Sequence, residues 1–254
     1  RHATSLMQRL GYHEYGISVK PTIHHDERGH EPNNTYYFVL GADGDGRPPV
    51  GYFPTVEEFI GEGGSFEWPK AVVQNIKPTA VPGIRRDGKE AVGALRFADI
   101  TLKAGETRDH IVICGITDDH STIDRCIARY GSSEKIAAAL EQNMDFWRNK
   151  VTSIDFHSAD PDFDRWMHWV ELQPTLRKIY GCSFLPHHDY GRGGRGWRDL
   201  WQDYLALLLQ DPYEARDTLT ANFAGIRLDG SNATIILKGL GNFAADRNKI
   251  SRVW

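Results

Sequence analysis

The sequence predicts a multidomain protein of mixed α and β structure: an antiparallel β-sandwich, then a helical linker, then the first part of an α/α barrel. Three observations carry this. Up to about Thr117 the chain is rich in Gly, Pro, Thr and aromatic residues, with short apolar runs between turns. After Thr117 the apolar period lengthens to that of helices. Beyond that, repeated helices joined by long loops suggest the opening hairpins of an α/α barrel. The expected boundaries are residues 1–117 for the sandwich, 118–154 for the linker and 155–254 for an incomplete barrel.

In the first segment Thr35-Tyr36-Tyr37-Phe38-Val39-Leu40 and His110-Ile111-Val112-Ile113-Cys114 read as strands. Gly41-Ala42-Asp43-Gly44-Asp45-Gly46 reads as a turn cluster. Its Asp-x-Asp-Gly resembles the start of a calcium loop, but no acidic residue stands where such a loop closes, so a plain turn is expected. Lys103-Ala104-Gly105-Glu106 separates the runs 97–102 and 108–116 in hairpin fashion.

Helices follow. Ile123, Cys126, Ile127 and Tyr130 fall on one face, as do Ile136, Leu140, Met144 and Trp147, and Ser132 or Ser133 can cap the second of these two helices over about 119–150. Asp160-Pro161 opens a third helix with Phe163, Trp166, Met167 and Val170 on one face. Pro174 is expected to kink or end it near Gln173. An irregular glycine-rich loop at 191–196 leads to a helix from about Trp197 through Gln210, and Asp211-Pro212-Tyr213-Glu214 makes a capping-box-like start to the next.

Composition narrows the function. With 30 basic and 34 acidic residues and a net charge of -4, the chain lacks the electrostatic footprint that holds nucleic acid. Cys114, Cys126 and Cys182 are widely spaced, form no CxxC pair, and read as buried thiols of a reducing compartment. No apolar run approaches the roughly 18 residues of a membrane span, and no signal-peptide core is present, so a soluble cytoplasmic protein without a membrane partner is expected. The chain starts at Arg1 and stops at Trp254 after the polar run Asp246-Arg247-Asn248-Lys249, which reads as a piece of a longer polypeptide.

The densest chemistry lies in Arg192-Gly193-Gly194-Arg195-Gly196-Trp197-Arg198-Asp199-Leu200-Trp201-Gln202-Asp203. On a helix, Arg198 lies above Gln202 and Asp199 above Asp203, because side chains four apart share a face. A guanidinium, an amide and two carboxylates beside the indoles of Trp197 and Trp201 suit a sugar. Carboxylates accept from vicinal hydroxyls, Arg donates, and an indole covers the apolar face of a pyranose. The same residues could instead form ion pairs, Asp199 and Asp203 with Arg195 and Arg198, at a solvated helix start. The glycines of 191–196 are not preceded by a strand in a βαβ unit, so a nucleotide fingerprint is rejected in favour of a tight loop against ligand. His24-His25-Asp26 and His187-His188-Asp189 offer ligand types, but neighbouring residues on a strand point to opposite sides, and no metal is expected.

The segment from Asp162 to Trp254 resembles the glycoside phosphorylases of the cellobiose and chitobiose phosphorylase type, glycoside hydrolase family 94. Phe163-Asp164-Arg165-Trp166 and Gly196-Trp197-Arg198-Asp199-Leu200-Trp201-Gln202-Asp203 carry the likeness, the latter being similar to the family's Gly-aromatic-Arg-Asp-x-x-Gln-Asp. Residues 180–190 and Asp229-Gly230-Ser231-Asn232-Ala233-Thr234 look most like the branch acting on β-1,2-linked oligoglucans. The resemblance implies an (α/α)6 barrel and inverting phosphorolysis, in which inorganic phosphate attacks the anomeric carbon of a non-reducing-end β-glucosyl unit. The products would be α-glucose 1-phosphate and a shorter glucan. Phosphate is a co-substrate, no cofactor is implied, and one carboxylic acid suffices to protonate the leaving oxygen. In the family that acid lies in a later segment, so none of these residues is assigned as the acid, which is expected after Trp254. Trp197, Arg198, Asp199, Gln202 and Asp203 become the substrate-binding set, holding the terminal glucosyl unit.

Other readings stand beside this one. An α/α-barrel hydrolase or a cyclic β-glucan synthase module could use the same sugar-holding helix. A non-catalytic carbohydrate-binding module could use sandwich aromatics such as Trp68, Tyr36 and Tyr37, although aromatics in strands are more often core.

Overall fold

The computed structural model describes residues 8–22, 34–78, 87–180, 194–233, 235–237, 241–244 and 251–252. The chain divides into two compact units, residues 1–143 and 144–254, and both mix helices with antiparallel sheets.

In the first unit, strands β1 (Gln8–His13), β2 (Gly16–Pro21), β3 (Tyr36–Asp43) and β6 (His110–Thr117) form one antiparallel sheet in the order β1-β2-β3-β6. A second pair, β4 (Gly51–Thr55) and β5 (Ala91–Arg96), is joined through two short helices, α1 (Val56–Ile60) and α2 (Lys70–Val73). Alternation along β3 sorts its side chains. Phe38, Leu40 and Ala42 are buried, and Phe38 and Leu40 pack with Ile123, Cys126 and Ile127 of helix α3 (Ser121–Tyr130). The other face of β3 receives β5. A Cβ on Gly93 would lie 2.5 Å from Val39 Cγ2, so only glycine lets β5 approach this closely.

Three expectations are revised here. Residues 97–102 form no strand: β6 pairs with β3 instead, and Lys103–Glu106 is a turn without a hairpin, closed by Glu106 N–H donating to the Lys103 carbonyl at 3.0 Å. Cys114 is exposed, because it lies on the face of β6 where Val112 and Ile116 are also 57% and 70% exposed. Cys126 is half-buried, and Cys182 lies outside the described residues. The turn after β3 is also tighter than expected, since the strand runs through Gly41 and Ala42 to Asp43. Asp43 Oδ1 then accepts from the N–H groups of Asp45 and Arg47, and Oδ2 from Arg108. Burial alone would raise the Asp43 pKa, but these donors together outweigh it and hold the carboxyl below its ordinary range.

Helix α3 has His120 at its N-cap, with no side-chain cap hydrogen bond, and Asp119 just before it ties down the first turn. Asp119 Oδ1 accepts from Ser121 N–H at 3.0 Å and Oδ2 from Arg125 at 2.8 Å. Hydrogen bonds from Arg125, then from the Ser121 hydroxyl and N–H, lower its pKa from 3.8 to about 2. Helix α4 (Ser133–Val151) is capped by Ser132, whose hydroxyl accepts from Lys135 N–H at 3.3 Å. Its Ile136, Leu140 and Met144 are exposed.

In the second unit, Asp160 Oδ1 accepts from the N–H groups of Asp162 and Phe163 and so starts helix α5 (Pro161–Tyr180). Of the two outcomes expected at Pro174, a kink or an end, the end does not occur. Proline lacks the N–H for the carbonyl four residues back, yet α5 runs on to Tyr180. The side chain of Gln210 grips the helix on both sides of the proline: its Nε2 donates to the Glu171 carbonyl at 2.5 Å and its Oε1 accepts from the Thr175 hydroxyl at 3.0 Å. Both residues of α5 are buried. Strand β7 (Gly194–Gly196) leads into helix α6 (Trp197–Leu207), so the last three residues of the expected irregular loop are strand. Asp211 caps helix α7 (Pro212–Asn222), accepting from Glu214 N–H at 3.2 Å as the capping-box pattern implied. A 3₁₀ turn (Phe223–Gly225) and strands β8 (Ser231–Asn232), β9 (Ile235–Leu237), β10 (Phe243–Ala244) and β11 (Ser251–Arg252) complete the described residues, with sheets β10-β9-β7 and β11-β8.

Two outcomes are expected. The Asp119 carboxylate has a folded pKa below its unfolded one, so its contribution is complete above pH 3.8 and is lost as pH falls through about 2. Acid titration followed by far-UV circular dichroism should show Asp119→Asn losing part of the acid sensitivity of the first unit. An identical acid profile would contradict the assignment. Gln210→Ala should cost the second unit about 1–3 kcal/mol in urea unfolding, since it strands a buried hydroxyl beside a proline; a cost under about 0.5 kcal/mol would show that α5 tolerates Pro174 unaided.

Candidate functional site

Helix α6 is built to show one side and bury the other. Leu200, Tyr204 and Leu207 are 3%, 7% and 7% exposed and pack with Ala215 of α7 and Ile236 of β9. Their spacing of four and three keeps them on one stripe. Arg198 and Gln202, four apart, share an exposed flank. The expected pairing of guanidinium and amide on one face is therefore present. Asp199 and Asp203 also stand four apart on α6, but their side chains lie outside the described residues, as does that of Arg195.

Trp197, the first residue of α6, is half-buried against the core. Its ring centroid stands 5.8 Å from that of Trp201 and 5.9 Å from that of Phe243. Trp201 in turn meets Phe223 edge-on at 4.9 Å. The Trp201 Nε1–H is buried and finds no acceptor among the described residues. The structure thus ties Trp197 into an aromatic cluster that the sequence pattern did not reveal. Phe223 follows helix α7 and Phe243 lies further on, in β10; the 3₁₀ turn and the β9-β10 pairing bring them to α6.

The segment Asp229-Gly230-Ser231-Asn232 folds as a hairpin tip. Asp229 Oδ1 accepts from Ser231 N–H at 2.9 Å and from its hydroxyl at 2.6 Å, and Arg227 N–H donates to the Ser231 carbonyl at 2.8 Å. The Ser231 hydroxyl, then its N–H, hold the Asp229 carboxyl below the ordinary range. A shallow, open depression of about 920 Å³ is lined by Phe223, Ile226, Arg227, Leu228 and Asp229.

Other expected features fall out differently. Trp68 is 71% and Tyr37 48% exposed, so neither is core. Tyr36, next to Tyr37 on β3, sits edge-on to His120 with Lys20 over its ring. His24-His25-Asp26 and His187-His188-Asp189 lie outside the described residues, and among the described ones no group of three or more His, Cys, Asp or Glu is placed to hold a metal. No described helix is long and apolar enough to cross a membrane.

Residues 13–133 match the family model of the glycosyl hydrolase 94 supersandwich domain. This region takes in most of the first unit, from the end of β1 to the start of α4. The matched residues make up just under half of the chain. No curated protein matches the chain.

Trp201→Phe removes the stranded indole N–H together with some packing, and these two effects oppose each other. The variant should change unfolding free energy by less than about 1 kcal/mol, against the several kcal/mol usual for truncating a well-paired buried group. A loss above about 3 kcal/mol would mean that Nε1 has an acceptor.

Proposed function

We propose that the protein is a glycoside phosphorylase that cleaves β-glucosidic linkages, with β-1,2-oligoglucan as substrate, by inverting phosphorolysis. The observation that carries this reading is a glycosyl hydrolase 94 supersandwich domain in the same chain as a helix that begins Trp197-Arg198-Asp199 and shows Arg198 and Gln202 on one exposed flank. The helices of the second unit are read as the opening part of an (α/α)6 barrel.

In the proposed reaction, phosphate attacks the anomeric carbon from the face opposite the leaving oxygen. The carbon–phosphate oxygen bond forms as the glycosidic bond breaks, and a carboxylic acid delivers its proton to the departing glucan. Phosphate is already an anionic nucleophile, so no second carboxylate is needed to activate water. The residues of α6 would hold the terminal glucosyl unit rather than move protons. Arg198 and Gln202 donate to hydroxyls from the exposed flank, and Asp199 and Asp203 are assigned as acceptors of hydroxyl protons. The acid is expected in sequence after Trp254. Trp197 would contribute through its place at the first turn of the helix, where its ring is held by Trp201 and Phe243.

The intact protein, incubated with β-1,2-oligoglucan and inorganic phosphate, should release glucose 1-phosphate, and Arg198→Ala should lower kcat/KM by about 10- to 100-fold, the loss of a charged hydrogen bond. Free glucose released without phosphate would replace this reading with a hydrolase, and cyclised glucan with a synthase module. Glucan binding without turnover, unaltered in Arg198→Ala, would leave a binding module.

A further inference from the structure

We infer that Gly225 is a positioning residue: the space left by its absent side chain is the seat of the Trp197 indole, and that seat fixes where α6 begins. An ideal Cβ on Gly225 would lie 2.5 Å from Trp197 Cζ3, 2.9 Å from its Cη2 and 2.9 Å from Phe243 Cε1. Any side chain therefore meets two rings at once. A flexible neighbour could swing away, but the Trp197 ring is bounded by Trp201 on one side and Phe243 on another.

Neither wall of the seat is free to give. Gly225 belongs to a 3₁₀ turn whose Phe223 carbonyl accepts from Ile226 N–H at 3.0 Å, and the Gly225 carbonyl accepts from Ala233 N–H at 3.1 Å. Asn222, just before the turn, is 1% exposed. On the other side Phe243 is in register with Ile236 of β9, and Ile236 is in register with Arg195 of β7. The ring that closes the seat and the strand that delivers the chain into α6 thus belong to one sheet. A Cβ at position 225 would have to move Trp197, and Arg198 is its neighbour in the first helical turn. Displacements of about 1 Å at a binding group can cost on the order of 100-fold in rate.

The glycine is not there for its backbone. Gly225 is not among the residues with positive φ, so alanine can take its conformation and the only change is the added methyl. The consequence for catalysis rests on the sugar-holding role proposed for α6; the seating of Trp197 does not.

The test uses the intact enzyme as Gly225→Ala, Trp197→Phe and the double variant. Gly225→Ala should keep its far-UV circular dichroism and cooperative melting, lose near-UV intensity from the packed Trp197 and Trp201 indoles, and raise KM for β-1,2-oligoglucan about tenfold or more. A general loss of folded protein would lower apparent kcat and leave KM in place. Phenylalanine at 197 is shorter where the Cβ would strike, so the double variant should melt and bind like Trp197→Phe alone. Native near-UV signal and native KM in Gly225→Ala, or strictly additive effects in the double variant, would overturn the inference. If the unsubstituted enzyme makes no glucose 1-phosphate, the proposed reaction fails, and the near-UV signal and the non-additivity of melting still decide the role of Gly225.

Discussion

The buried stripe of Leu200, Tyr204 and Leu207 on α6 fixes everything that the second unit can present. A helix offers a constant arrangement of polar groups to a ligand only when its other side cannot roll. Here the opposite side packs against Ala215 and Ile236, and the first residue, Trp197, is wedged between Phe243, Trp201 and Gly225. Burial of such apolar side chains is worth about 1.5–3 kcal/mol each, more than the few tenths that a surface ion pair contributes. The direction in which Arg198 and Gln202 leave the helix is therefore set by packing.

The first unit rests on the same principle with a sheet in place of a helix. The alternating burial of Phe38, Leu40 and Ala42 gives β3 one face for α3, and small residues at Gly41 and Gly93 let β5 settle on the other. Its match to the glycosyl hydrolase 94 supersandwich domain agrees with this antiparallel architecture. The charged residues near the sheet act locally: Asp43 ties off the turn after β3, and Asp119 binds the first turn of α3 through Ser121 N–H.

What the sequence revealed was what local chemistry decides. Asp160-Pro161 and Asp211-Pro212 announced their helices because a cap needs only the next three residues, and the apolar run 35–40 announced β3. The failures lie where distant residues intervene. Pro174 does not end α5, and the side chain that bonds to the helix on both sides of it, Gln210, lies 35 and 39 residues away. Residues 194–196 are strand only because β9 pairs with them, and β6 chose β3 rather than the nearer run at 97–102. In the candidate site the polar residues were legible from type and spacing, while Phe223, Gly225 and Phe243 were not, since no local pattern marks a residue whose function is to leave room or close a gap.

The central claim is that the start of α6 holds the sugar. Hydrogen–deuterium exchange of the intact protein, with and without β-1,2-oligoglucan, tests it most directly. Sugar held by α6 predicts slowed exchange at amides of Gly194–Gly196 and the first turns of Trp197–Leu207. Slowed exchange confined to residues 13–133, with α6 unchanged, would contradict it and move the binding surface to the supersandwich domain.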